Sequence, residues 1–236
     1  MQSSDASGVE VSEVMQMNWD DEYAGSRKIW GDVPSELAVV MVDYLRKSNL
    51  AQRRLAMLDI GCGYGRDEIY LVKQLNCTIK AIDSSEKAIS AARNAVSELN
   101  ISNVEFVMCN FTELADGEYD VVFISNLYHS LEAHERKELR DKLKNLLGLN
   151  SMLFLNALSI NDTEEYGKGT PVENELHSFR GRKYLHFCTG EELRSDFDFL
   201  SIRELYERKY DEPHYQGKTH HHISWMLIGQ KQEGGR

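Results

Sequence analysis

Residues 55–67, LAMLDIGCGYGRD, constrain the fold more than any other stretch. A six-residue apolar run with one acid inside it ends abruptly at Gly61, Gly63 and Gly65, and RDEIYLVKQLN then continues with helical periodicity. A strand that enters a glycine turn and leaves as a helix opens, in a doubly wound sheet, at the carboxyl ends of the strands, where ligands bind. Glycines there let the backbone pass close to a bound group, because no Cβ intervenes. The spacing Gly-x-Gly-x-Gly is neither the GxGxxG of a dinucleotide fingerprint nor the GxxxxGK[ST] of a phosphate loop.

From residue 55 onward short apolar runs alternate with amphipathic helices. Strands are expected at LAMLDI, TIKAID, VEFVMCN, YDVVFISN and SMLFLNALS. Helices are expected at RDEIYLVKQLN, at SSEKAISAARNAVSELN with Ser84 or Ser85 as cap, and at EAHERKELRDKLKNLLG. An earlier helix follows Pro34, with Leu37, Val40, Met41, Tyr44 and Leu45 on one face. This alternation predicts βαβ crossovers and a mostly parallel sheet buried on both faces. After a short helix at TGEELRSDF, two runs joined around Pro213–Gly217 predict a terminal hairpin that adds one antiparallel strand. The expected fold is α/β: a doubly wound, mostly parallel seven-stranded sheet with an antiparallel C-terminal strand, Rossmann-like in plan. Residues 1–33 read as a flexible arm covering the site and 34–236 as one domain. The polar stretch 160–188, too long for a plain connection, reads as a lid.

The net charge of −11 argues against a nucleic-acid partner, whose phosphates are neutralised by Lys and Arg. Cys62, Cys77, Cys109 and Cys188 lie far apart without a CxxC pair and read as free thiols of a reducing compartment. The first residues carry no basic segment followed by an apolar one, so no signal peptide is expected. No apolar run approaches the ~20 residues that cross a bilayer. A cytoplasmic protein with no membrane partner, monomeric or homodimeric, is expected.

Two carboxylates bracket the glycine turn. Asp59, two residues before it, adds negative charge where a pyrophosphate would sit and suits a ligand with an ammonium group. Asp83 ends the next strand, where a carboxylate accepts hydrogen bonds from both hydroxyls of a ribose. S-adenosylmethionine carries an ammonium, a sulfonium and a diol. At these residues the chain resembles the class I S-adenosylmethionine-dependent methyltransferases: LDIGCGYG is similar to their first motif, AID to their acidic second-strand motif and CNFTEL to their adenine-side segment. YDVVFISNLYHSL and LKNLLGLNSMLFLNAL resemble their fourth- and fifth-strand motifs, so the likeness spans about 34–231. More loosely, WDDEYAGSRKIWG, EYGKG, LHFCTGEEL and HHHISWMLIGQK are similar to segments of small-molecule members of the thiopurine and tellurite-resistance types.

The resemblance implies S-adenosylmethionine as cofactor. Asp59, Gly61, Cys62 and Gly63 would line its methionine end, Asp83 would bind the ribose and Ser84 would flank the adenine. Asn110 would take the adenine amine, at a position where members often carry aspartate. Phe111 would pack on the ring or serve as a core aromatic, and Ser125 would offer its carbonyl to the ammonium or simply end its strand. Cys62 is expected to pack rather than react. Asp67 fits the dipole of its helix as well as it fits a cofactor contact.

For the acceptor, expected to be a small molecule, Trp19, Tyr23 and Trp30 would cap the adenosine, cage a soft or cationic substrate, or pack the arm onto the domain. Tyr128 and His129 follow the fourth strand. His214, His220, His221 and His222 cluster at the hairpin; strand alternation lets His220 and His222 share a face that His221 cannot. A zinc site would draw further ligands from His177 or His186, and no metal is assigned. Transfer is an in-line displacement, and a protic acceptor would use His129 or His222 as base. Three rival readings are a nicotinamide oxidoreductase, disfavoured by the glycine spacing, a non-catalytic cofactor-binding module, and a protein or RNA methyltransferase. Against the last stands SNLYHS, where an Asn-Pro-Pro-Tyr or Asp-Pro-Pro-Tyr tetrapeptide would follow the fourth strand.

Overall fold

The computed structural model describes residues 19–25, 31–213 and 219–233. Trp30 and His214 lie outside the described residues, as does the rest of the arm beyond the first helix and residues 31–33. In chain order the elements are α1 (Trp19–Gly25), α2 (Glu36–Lys47), β1 (Leu55–Ile60), α3 (Arg66–Gln74), β2 (Cys77–Asp83), α4 (Glu86–Glu98), β3 (Val104–Met108) and β4 (Tyr119–Ile124). There follow α5 (Ala133–Leu146), β5 (Leu147–Leu158), β6 (Thr170–Pro171), β7 (Ser178–Arg180), β8 (Tyr184–His186), α6 (Gly190–Asp196), β9 (Leu200–Pro213) and β10 (Thr219–Lys231).

Seven strands form one sheet in the order β3-β2-β1-β4-β5-β10-β9. The first five run parallel, and β10 is antiparallel to both of its neighbours, as the sequence predicts. Alternation along each strand sends side chains to opposite faces. Leu55 and Met57 of β1 therefore pack with Leu37, Met41 and Leu71 under α2 and α3, whereas Leu58 and Ile60 pack with Leu139, Leu143 and Leu193 under α5 and α6. Asp59 falls on the first of these faces. It is the one charged residue of β1.

Local chemistry fixes the helix starts. The Ser35 hydroxyl accepts from Ala38 N–H to cap α2, and the Ser85 hydroxyl, rather than that of Ser84, caps α4 by accepting from Ala88 N–H. Helix α3 has no side-chain cap. Its N-cap is Gly65 at φ +82°, a conformation that favours glycine, and a Cβ there would lie 2.9 Å from the Phe106 ring and 3.0 Å from the Ala92 methyl.

The segment expected as a lid has structure of its own. Strands β6, β7 and β8 form a three-stranded antiparallel sheet. A parallel bridge between Ser159 and Cys188 closes its base against the end of β5. The Cys188 N–H donates to Leu158 O at 2.7 Å, so the insertion leaves the main sheet and returns to it at one point.

Candidate active site

A cavity of about 360 Å³ opens at the carboxyl ends of β1, β2 and β4. One wall is the glycine turn with Asp59, Asp83 and Ser84; another is Asn110 and Phe111 after β3; Ser125 and Asn126 border it after β4. Residues Arg180–Tyr184 of the lid and Trp19 and Tyr23 of α1 lie across it. All nine residues expected at the cofactor, namely Asp59, Gly61, Cys62, Gly63, Asp83, Ser84, Asn110, Phe111 and Ser125, are thus brought to one cavity.

The turn is shaped around Asp83. Its two carboxylate oxygens accept from Gly63 N–H and Ser85 N–H, both at 2.9 Å, so it holds the loop while facing the cavity. Gly63 lies at φ +55°, and a Cβ on it would stand 2.8 Å from the Tyr23 hydroxyl. Tyr23 therefore sits against the glycine turn, which places this arm aromatic at the cofactor loop. Trp19 and Tyr23 pack with their ring centroids 6.3 Å apart. The arm is tied to α4 through Asp20, which accepts from the Ser85 hydroxyl, and to the lid through the Glu22–Arg182 ion pair. Lys183 stands over the Trp19 ring, 5.7 Å from its centroid.

Asp59 is buried and faces Glu68, which is wholly buried one turn before Leu71 on α3. Burial and the neighbouring acids raise the affinity of both carboxyl groups for protons. Burial also pushes up the Cys62 thiol, beside Glu68 and Asp59. A protonated, enclosed thiol suits the packing role expected of Cys62.

Phe111 both lines the cavity and belongs to the core with Ile82 and Leu114, so the two readings of it coincide. The Asn110 side-chain oxygen is taken by Thr112 N–H at 3.0 Å, capping a single 3-10 turn, with Glu113 reciprocating. Asn110 is therefore a turn-former at the cavity edge.

A polar network lies behind the far end of the cavity. Asn126, at φ +57°, donates its backbone N–H to Asn156 Oδ1 and accepts from Asn156 Nδ2 at 2.7 Å. Its own amide donates to Glu212 Oε1, which also accepts from Arg66 at 3.0 Å. Beyond it the Asp162 carboxylate, wholly buried, accepts from Glu164 and Glu165 N–H through one oxygen and from Ile223 N–H through the other. That second oxygen meets His222 Nδ1 at 3.0 Å. Burial opposes the charge on His222, but Asp162, with Glu212 and Glu164 behind it, raises its pKa above the ordinary histidine value.

The histidines separate as strand alternation requires. The rings of His220 and His222 stack with centroids 5.8 Å apart, while His221 points away to Asp211. His177 bonds Tyr166, and His186 is held between Ser178 and Glu192, so neither joins the hairpin pair.

Four expected acceptor-side residues, Tyr128, His129, His220 and His222, do not line the cavity. Tyr128 is wholly buried under α5 and α6, where its hydroxyl donates to Asp196 and accepts from Arg140. The turn after β4 points it into the core, and it contributes nothing to the cavity wall. His129 is buried behind that wall, and its Nδ1 has no hydrogen-bond partner among the described residues. Burial, reinforced by nearby His222 and Lys183, lowers its pKa to about 3, so it is a neutral imidazole of low basicity and a poor general base. Sequence reasoning missed Asp162, Glu212, Asn156 and Glu68, because each acts on a partner that only the tertiary fold brings near.

Residues 57–148 match the model of a family described as a methyltransferase domain. These residues are a methyltransferase domain. Over these residues the match, with the strand order, agrees with the expected class I S-adenosylmethionine-dependent methyltransferase fold. No curated protein matched the chain. Among solved structures similar to this chain, one was described for the conversion of a disulfide bond into a thioacetal group during echinomycin biosynthesis. It has a TM-score of 0.70 at 19% identity and covers 92% of this chain and 91% of its own. An S-adenosylmethionine-dependent methyltransferase of Methanosarcina mazei has a TM-score of 0.66 at 22% identity, covering 79% of this chain and 97% of its own. The 1,6-didemethyltoxoflavin-N1-methyltransferase of Burkholderia thailandensis, with bound 1,6-didemethyltoxoflavin and S-adenosylhomocysteine, has a TM-score of 0.65 at 16% identity. That match covers 91% of this chain and 86% of its own. At these identities the likeness is one of fold. No helix among the described residues is long and apolar enough to cross a membrane.

Proposed function

We propose that this methyltransferase moves a methyl group from S-adenosylmethionine to a small-molecule acceptor. The observation that carries the reading is the pair of acids at the glycine end of one cavity: Asp83 held by Gly63 and Ser85, and Asp59 buried with an oxygen that has no hydrogen-bond partner among the described residues. A ribose diol suits the first and a cationic methionine end the second. Phe111, Ser84 and Tyr23 supply a surface for the adenosine, and Gly61, Gly63 and Ser125 line the same cavity. A volume of about 360 Å³ lies in the range of small-ligand pockets and is closed over by an arm and a lid. The small molecule bound in the toxoflavin methyltransferase structure favours a small-molecule acceptor.

When bound, the cofactor supplies an electrophilic methyl group. The chain positions the reactants and excludes water, with Arg180–Tyr184 of the lid and Trp19 and Tyr23 of the arm forming the cover. His222 is the proposed base for a protic acceptor. Its Nδ1 is held by Asp162, which leaves Nε2 to take the proton, and His220 stacks beside it. An acceptor that is already anionic needs no base.

Calorimetric titration of the chain with S-adenosylmethionine and, separately, NAD tests the cofactor. Binding of NAD alone would sink the reading. A screen of thiols, amines, phenols and metalloid oxyanions with mass-tagged cofactor then identifies the acceptor, and turnover of protein or RNA substrates alone would overturn the small-molecule assignment.

A further inference from the structure

Three carboxyl oxygens without a hydrogen-bond partner among the described residues meet at one place: Oδ1 of Asp59 and both oxygens of Glu68. Their meeting follows from two periodicities. Asp59 is two residues beyond Met57 on the β1 face covered by α3, and Glu68 is three residues before the buried Leu71 on the α3 face that covers it. The two carboxyl groups therefore face each other inside the protein, with Asp59 also reaching the cavity wall.

The surrounding groups do not neutralise them. Asp67, also on α3, accepts from Ser35 N–H at 2.6 Å and has Arg66 at 3.9 Å. Asp83 on β2 accepts from two loop N–H groups, and the Cys62 thiol lies alongside, kept protonated by burial. Arg66, the cation in the first turn of this helix, is committed to Glu212 and Asp67. From the arm comes the Tyr23 hydroxyl, itself held protonated by burial. Two apposed carboxylates in such a site cannot both be ionised, since like charges in a buried pair oblige one to keep a proton. A proton between them also supplies the donor that the bare oxygens lack.

We propose that Asp59 and Glu68 hold one proton between them, and that the cationic methionine end of the cofactor displaces it, so that cofactor binding releases a proton. The inference rests on the cofactor reading above. The balance is simple: a shared O–H breaks, the proton passes to solvent, and the arriving positive charge takes its place beside two carboxylates. Asp59 touches the ligand; Glu68 is a positioning residue that keeps Asp59 in place and sets its charge.

Titration of the full chain with S-adenosylhomocysteine, which keeps the ammonium, in buffers of different ionisation enthalpy counts the protons. Near neutral pH the wild type is expected to release close to one proton per ligand. Its Kd is expected to rise up to tenfold for each unit of falling pH between about pH 8 and pH 6. Glu68→Gln gives Asp59 a permanent neutral donor, and the release and the pH dependence should both vanish. The ligand's own amine titrates alike against both proteins, so their difference belongs to the pair. Should Glu68→Gln fail to fold, difference infrared spectroscopy of the wild type must show a protonated carboxyl band that disappears on binding. Proton release that is equal in the wild type and Glu68→Gln, or an infrared band unchanged by binding, overturns the shared proton alone. Failure to bind S-adenosylhomocysteine at any pH overturns the cofactor reading and this proposal with it.

Discussion

Asp162 and His222 are 60 residues apart in sequence, yet one carboxylate oxygen lies 3.0 Å from the imidazole Nδ1 and 2.9 Å from the N–H of the next residue, Ile223. With three backbone donors as well, Asp162 is held ionised, its own pKa lowered against the opposing effect of burial. Replacing it by asparagine keeps the shape and removes the charge. Histidine NMR titration should then find the His222 pKa lowered, since the carboxylate that favours the charged ring is gone. An unchanged titration would show that the pair does not set the charge of His222.

Asp83 makes a more direct prediction. Asp83→Asn retains an acceptor for one loop N–H but loses the charge offered to a diol, and charge-assisted bonds contribute about 1.5–3 kcal/mol each. The Kd for S-adenosylhomocysteine should rise by roughly 10- to 100-fold, and the thermal midpoint should fall because one loop N–H loses its acceptor. Equal affinity in calorimetry would remove Asp83 from the ribose.

Gly65 should fail by strain. Gly65→Ala forces a Cβ to within 2.9 Å of the Phe106 ring at φ +82°. Urea denaturation should register a loss of about 1–3 kcal/mol or more, because strain at a left-handed residue and overpacking act together.

His129 links acid to stability. In the unfolded chain it titrates near 6.5, and in the fold near 3. Between those values the unfolded state binds the extra proton, so this residue lowers stability as pH falls through 6.5 toward 3, by at most about 1.4 kcal/mol per pH unit. The variant His129→Gln should show a flatter fall in unfolding free energy between about pH 6.5 and pH 5. Identical slopes for His129→Gln and wild type would refute it.

Much of this was legible in the sequence because it is local. The strand–glycine–helix unit, the acids at 59 and 83, the alternation of elements and the antiparallel last strand all follow from periodicity and turn chemistry within about twenty residues. Tyr128 and His129 were misplaced for a related reason: the end of a strand indicates which side of the sheet is near, but not which way a single 3-10 turn rotates its side chains. Asp162 could not be read at all. Nothing in SINDTEE distinguishes an acid that caps its own turn from one that also orients a histidine on the terminal hairpin, and Glu68 looks like any acid in a first helical turn.

The cavity's walls are also divided along the chain. Its glycine end draws on residues 59–135, while the lid residues Arg180–Tyr184 come after β5, beyond the bridge of Ser159 to Cys188. The two parts are joined along the sheet, where Ser224–Gln230 of β10 pair with Met152–Leu158 of β5, and through Arg66 and Asn126, which meet Glu212. A new acceptor side can therefore be fitted to the same methyl-donor end only where the face of β10 that pairs with β5 is kept. Chimaeras joined behind residue 158 are the natural place to look for inherited chemistry.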